Sequence, residues 1–212
     1  MDAVRASLPG PQPETHPMPP RLVLPVLALC VALASPTRAA TEPAVPTEAP
    51  VNAPVAALDL PRYVGRWHEV ARLPMFFQRH CVGDTTATYT LRDDGGIEVR
   101  NACRTDEGMI ESTGMARRAG AGGGGALEVR FAPGWLGWLP MVWADYWVVD
   151  LDPDYRWAVV GGPKQGAMWI LSREPTLEPA LFDRIRQRAE SRGYRVGELI
   201  VDPAQRDRMA AE

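Results

Sequence analysis

The sequence is poor in the residues from which most catalytic and metal sites are built. It holds only three histidines and three cysteines in 212 residues. His16, His68 and His80 have no cysteine or acidic neighbours at metal-ligand spacing, so no metal site is expected. A Gly-x-Ser-x-Gly turn is missing, which removes one common setting for a serine nucleophile. The glycine run 120–125 is not closed by Gly-Lys-Ser/Thr and no helix pattern follows it. That excludes a phosphate loop and leaves a flexible hairpin connection. With no such motif, no cofactor is expected. Excess basic charge is absent too: a net charge of -3 gives no electrostatic case for nucleic acid.

What is present divides the chain into a leader, a linker and a domain. Residues 1–20 are rich in proline and carry no periodicity. Arg21 precedes the apolar run Leu22–Ala34, too short for a membrane span but suited to the apolar region of a signal peptide. Pro25 and the proline-rich flanks argue against a core helix. Met18 is an alternative start, and Ala32-Leu33-Ala34 resembles a cleavage site, so 1–40 reads as a leader for export. Cys30 lies in the run, but Leu29 before it is not small, so Leu27-Ala28-Leu29-Cys30 departs from a lipidation signal and argues against a lipid anchor. Residues 41–57 are rich in proline and alanine and read as an extended linker. Residues 58–203 form the expected domain, and 204–212 a tail.

Export leaves Cys81 and Cys103 as an even pair in an oxidising compartment, which favours a disulfide. The turn Asp93-Asp94-Gly95-Gly96 lies between them, and a hairpin folded there brings the two sides roughly opposite.

A hydrophobic content of 46% permits a sizeable core. Seven tryptophans need enclosing walls and partners for their N–H groups. The domain opens with Leu58-Asp59-Leu60-Pro61-Arg62-Tyr63-Val64, a short turn-like segment, followed by the alternating strand from Gly65 through Trp67 to Leu73. Strands are then predicted at Thr85–Leu91, Ile97–Asn101, Met109–Ala119, Leu127–Phe131, Asp145–Leu151, Trp157–Val160 and Ala167–Ser172, from β-branched content and period-two alternation. Short turns between them point to an antiparallel meander, and up-and-down closure removes its exposed edges. One helix is predicted over 176–192. Thr176 can cap it, Pro179 fits its first turn, and Leu177, Leu181, Phe182, Ile185 and Ala189 form its apolar stripe. Gly193 ends it, and Arg184, Arg186, Arg188 and Arg192 are expected to face largely outward. Residues 194–201 can add a short final strand.

This order resembles the lipocalins, and the resemblance covers 58–203. Gly65-Arg66-Trp67 is similar to the family's Gly-x-Trp at the closed end of its barrel. Tyr146–Tyr155 is similar to its Thr-Asp-x-x-Tyr region, with Leu151 in place of the threonine. Trp169-Ile170-Leu171-Ser172-Arg173 places Arg173 at the family's closing arginine. The wording is most similar to the bacterial outer-membrane lipocalins, relatives of apolipoprotein D. The fold implied is all-β: an eight-stranded antiparallel up-and-down β-barrel with one C-terminal α-helix. Gly65, Trp67 and Arg173 then have structural roles, the guanidinium lying over the indole where the barrel closes.

Alternation groups Ala87, Tyr89 and Leu91 on one face of their strand. It likewise groups Ile97, Val99 and Asn101, and Leu127, Val129 and Phe131, and it pairs Tyr146 with Val148 and Trp169 with Leu171. The resemblance implies that these faces point inward, around a cavity for one small ligand. Ala87, Tyr89, Val99, Asn101, Val129, Phe131, Tyr146, Val148 and Trp169 are the candidate ligand-binding residues. The ligand implied is a fatty acid or lysophospholipid, and the location is the periplasm or the outer membrane of a bacterial envelope. A core filled solid by the same residues is the alternative, and it would make the protein an envelope interaction module with a filled barrel.

Pro133, Gly134, Gly137 and Pro140 break regular structure between Phe131 and Trp143. Trp135, Leu136, Trp138 and Leu139 therefore sit in a loop, either packed under a lid or exposed to a membrane surface or partner. An enzyme acting on a lipid-like substrate is the rival function. Its candidates are Glu69 as acid or base and Cys81 as nucleophile, because one enzymatic branch of the family uses a barrel cysteine. A hydrogen-bonded Glu69 and a disulfide at Cys81 both favour a carrier with no catalytic residue.

Overall fold

A computed structural model describes residues 51–120 and 124–211, apart from the Trp135 side chain. The leader and the linker as far as residue 50 lie outside these residues, as do 121–123 of the glycine run.

The barrel begins with a one-turn helix α1 (Leu60–Tyr63) and strand β1 (Gly65–Arg72). Seven strands follow: β2 (Gly83–Leu91), β3 (Ile97–Thr105), β4 (Gly108–Arg118), β5 (Ala126–Arg130), β6 (Ala144–Leu151), β7 (Trp157–Gly161) and β8 (Trp169–Ser172). Each pairs antiparallel with the next, and β1 pairs with both β2 and β8, which closes the sheet. Closure leaves none of these eight strands as a free edge. A short β9 (Ile200–Val201) pairs with the end of β1 on the edge opposite β8. The turn between β2 and β3 is set by Gly95, whose φ of +79° a side chain would oppose.

Two hydrophobic clusters share the strands. One fills the lower barrel and includes Tyr63, Trp67, Ile97, Leu127, Val148 and Ala158. The other lies outside the barrel, where Val70, Val149, Val159 and Ile170 pack against helix α2 (Pro179–Ser191) through Phe182, Ile185 and Ala189. Neighbours in sequence therefore fall on opposite sides of one wall: Val148 in, Val149 out; Ile170 out, Leu171 in. That double burial explains the unbroken apolar runs of β6 to β8, whereas the exposed side of β3 carries Arg100 and Arg104.

Several boundaries differ from the sequence reading, each for a local reason. Helix α2 starts later: Glu178, not Thr176, accepts from the backbone N–H of Ala180 and Leu181. Thr176 instead accepts a hydrogen bond from Arg208. Arg192 does not face outward; its largely buried guanidinium lies 3.7 Å from Asp150, which Arg188 also pairs. Leu91 is 40% exposed, because its strand runs past the packed interior into the turn. The stretch read as a tail holds helix α3 (Pro203–Ala210), whose buried Gln205 bonds both the N–H and the C=O of Leu177. The last part of the linker is docked. Val55 donates to the Val148 carbonyl and accepts from Gly125 N–H, while the Asn52 side chain donates to Gly162 O and accepts from the Tyr194 hydroxyl.

The closed end is built around Trp67, which is 0% exposed. Its indole N–H donates to the Tyr63 carbonyl at 2.8 Å. The Arg173 guanidinium carbon stands 3.8 Å from the indole centroid. Arg173 does more than stack: it donates to the carbonyls of Arg62, Tyr63, Val64, Arg66 and Tyr155. Gly65 makes this possible. Its φ is +97°, and a Cβ there would stand 3.3 Å from the guanidinium. Tyr155 completes the closure, accepting from Asp59 N–H while Arg62 lies over its ring.

Candidate functional site

Above the Trp67 floor the barrel is hollow, with a cavity of about 580 Å³ that opens at the end opposite α1. Eight of the nine candidate ligand-binding residues line it: Ala87, Tyr89, Val99, Asn101, Val129, Phe131, Tyr146 and Trp169. Val148 faces inward as well but belongs to the packed floor beneath the cavity. Alternation gives the face of a side chain, not its depth along the barrel. Phe131 lies just past the end of β5, at the mouth, with its ring over Gly114, where a Cβ would stand 2.7 Å from it.

Leu171, placed on an inward face with Trp169, also lines the cavity. Other lining residues were not singled out in the sequence: Val160 follows from period two on β7, and Thr85 from its position two before Ala87. Met75, Phe77 and Gln78 come from the loop between β1 and β2, with a 3₁₀ turn at Phe76–Gln78, and no periodicity marks them.

The walls are mainly apolar, and the polar groups fall into three sets. At the floor, the hydroxyls of Tyr63 and Tyr146 are 2.7 Å apart and those of Tyr89 and Tyr146 2.8 Å apart. Burial pushes the Tyr89 hydroxyl up to about 12 and raises Tyr63 and Tyr146 well above the ordinary tyrosine value, so all three stay protonated. On one wall, Thr85 Oγ1 and Asn101 Oδ1 are buried without a partner. Beneath the β1–β2 loop, Gln78 donates to Glu69 at 2.8 Å and accepts from the Trp169 indole at 2.8 Å. Arg72 pairs with Glu69 at 2.8 Å and donates to the carbonyls of Gln78 and Cys81. This network holds the loop across the cavity mouth.

Glu69 is thus hydrogen-bonded on both oxygens. Burial nevertheless raises its pKa above 4.5, with Arg72 and Gln78 pulling the other way and Asp202 adding to the rise. The unfolded chain then releases this proton first as pH rises. The Glu69 contribution to stability is full below about 4.5 and is lost as pH climbs through the raised folded value. Urea melts between pH 4 and 7 should show the parent losing stability relative to Glu69→Gln across that window. A difference constant with pH would contradict this.

Cys81 and Cys103 form a disulfide with a Cα separation of 5.6 Å, which ties the end of the β1–β2 loop to β3. The bond consumes the thiol that the enzyme reading needed.

The loop between β5 and β6 is neither simply a lid nor simply exposed. It makes 3₁₀ turns at Gly134–Leu136 and Pro140–Val142. Trp143 packs back, its N–H donating to Gly137 O and Arg117 lying 3.9 Å from its ring. Val142 lines the cavity, Leu136 and Leu139 are half-buried, and Trp138 (76%) and Met141 (85%) are exposed.

A family model described as a lipocalin-like domain matches residues 58–204. The chain belongs to the lipocalin family. This lipocalin is 39% identical over 153 residues to temperature-induced lipocalin-1 of Arabidopsis thaliana, covering 70% of this chain and 81% of that one. It is 39% identical over 144 residues to the outer membrane lipoprotein Blc of Escherichia coli K12, covering 67% and 77%. Apolipoprotein D of Mus musculus is 28% identical over 150 residues, covering 66% and 74%. Among solved structures, insecticyanin from the tobacco hornworm Manduca sexta superposes with a TM-score of 0.57 at 23% identity, covering 72% of this lipocalin and 84% of that chain, which is a likeness of fold. Lipocalins bind small hydrophobic ligands, and a hollow, apolar-walled barrel is the geometry that does so.

Proposed function

We propose that this lipocalin binds and carries or stores a long-chain fatty acid or lysophospholipid in the bacterial cell envelope. The observation that carries the reading is the open-ended cavity. Its volume of about 580 Å³ falls within the roughly 300–1,000 Å³ of small-molecule sites. Val99, Val129, Val160 and Leu171 offer a tail apolar walls, and the headgroup stays near the mouth beside Ser112 and Arg130. Each buried CH₂ contributes about 0.8 kcal/mol, so about twelve of them supply roughly 10 kcal/mol before ordering costs. Micromolar affinity needs about 8 kcal/mol.

Similarity to the Blc outer membrane lipoproteins supports an envelope location. Exposed Trp138 and Met141, with Phe76 on the neighbouring loop, support contact with a membrane surface during transfer, since indoles favour the lipid–water boundary. Leu136 and Leu139 contribute less, being half-buried. A carrier fits better than an enzyme, because Cys81 is in a disulfide and Glu69 is held by Arg72 and Gln78.

Hexadecanoic acid and a palmitoyl lysophospholipid should each change tryptophan fluorescence, through Trp169 in the cavity wall, and raise the melting temperature. Failure of both ligands in both measurements would overturn the proposal.

A further inference from the structure

The three tyrosines at the floor carry three hydroxyl protons and make two contacts among themselves. Each contact uses one proton. Whichever way the protons are arranged, one O–H is left without an acceptor in the triad. No other acceptor among the described residues lies within hydrogen-bonding distance of the three hydroxyls. A surplus proton on Tyr63 would be sealed beside Trp67, whose ring centroid is 5.2 Å away, and a sealed, unpaired donor is unfavourable. Tyr89 and Tyr146 line the cavity, so on either of them the proton meets whatever fills it.

We propose that this triad is a hydrogen-bonding subsite at the bottom of the barrel for an uncharged oxygen acceptor, such as a hydroxyl, ether or keto group, at the buried end of the ligand. The inference rests on the reading that a tail enters the barrel. It goes further in giving the tail a polar far end. A carboxylate does not suit the same place. Glu69 acts on Tyr89 as a nearby negative charge. Arg72 does not line the cavity; its terminal nitrogens are committed to Glu69 and to two carbonyls, and only its buried Nε is unpaired. Arg173 lies against Trp67, donating to five carbonyls. An anion would lose its hydration there and find no uncommitted cation among the described residues of the floor. The preferred ligand is therefore an amphiphile with its headgroup at the mouth and an oxygenated terminus below.

The test is a calorimetric titration of the oxidised protein with dodecanoic and hexadecanoic acids and with their ω-hydroxy and ω-methoxy counterparts, two lengths being used because reach to the floor depends on length. At the length that reaches the floor, both oxygenated acids should bind about fivefold more tightly than the plain acid, the methyl ether included because the floor supplies the donor. In the double variant Tyr89→Phe, Tyr146→Phe that preference should vanish while the plain acid still binds. Equal affinities in the parent at both lengths would overturn the subsite and leave a tail-binding barrel standing. A preference that survives in the double variant would also overturn it. Absence of binding by all six acids would overturn both the subsite and the carrier reading. The comparison within the parent decides the matter even if the double variant folds poorly.

Discussion

Trp67→Ala is expected to lower the unfolding free energy by about 3–5 kcal/mol, the usual cost of truncating a fully buried large aromatic. The indole is 0% exposed and forms the floor on which Tyr63 packs, so its removal leaves a void that the rigid strand pairings of β1 cannot close. It also removes the ring beneath Arg173. Arg173→Ala should cost less, about 2 kcal/mol. That exceeds the 0.5–1 kcal/mol of an exposed cation–π pair, because the guanidinium ties down the carbonyls of the α1 turn. Urea denaturation followed by circular dichroism checks both. A Trp67→Ala protein that unfolds at the parent's midpoint would remove the indole from its place at the barrel floor.

Loss of the disulfide should be nearly as damaging. Cys81 and Cys103 are 22 residues apart in sequence, and cross-linking a loop of that length stabilises by about 3 kcal/mol through the unfolded chain's lost freedom. The double variant Cys81→Ala, Cys103→Ala should therefore unfold at lower urea than the oxidised parent with a similar or steeper dependence on denaturant. The effect should also be felt locally. Cys81 ends the loop that carries Phe77 and Gln78 over the cavity, and its carbonyl accepts from Arg72. Amide exchange in residues 75–82 should rise more than in β6 or β7. Equal midpoints for oxidised parent and variant would contradict the expectation.

The sequence made the barrel's closed end legible because its geometry is local and chemically narrow. Only glycine suits φ of +97° at position 65, and an indole two residues on needs a wall. Alternation made the inward faces legible for the same kind of reason: period two is a property of the strand itself. Depth is not. Val148 and Tyr146 share a face, yet one is packed in the floor and the other borders the cavity, because depth depends on where neighbouring strands are in register. Leu91 and Phe131 fail at strand ends, where burial is set by the barrel's length. The Gln78 latch, the docked Val55 segment and helix α3 carry no periodic signal, since each is fixed by a few long-range hydrogen bonds. The helix start was displaced by chemistry that the sequence contains: Glu178 precedes Pro179 and reaches the free N–H groups that Thr176 was expected to cap.

An acyl tail bound as proposed occupies the space bordered by Ala87. That side chain sits on β2 opposite Trp67 and Asn101, within the cavity wall, and a larger residue there must project into the ligand's volume. The most direct measurement is a calorimetric titration of hexadecanoic acid into parent protein and Ala87→Phe, with melting curves run on both. Occupancy of that space predicts at least tenfold weaker binding to Ala87→Phe with the cooperative melt of a folded barrel retained. Equal affinity of the folded variant and the parent would contradict it.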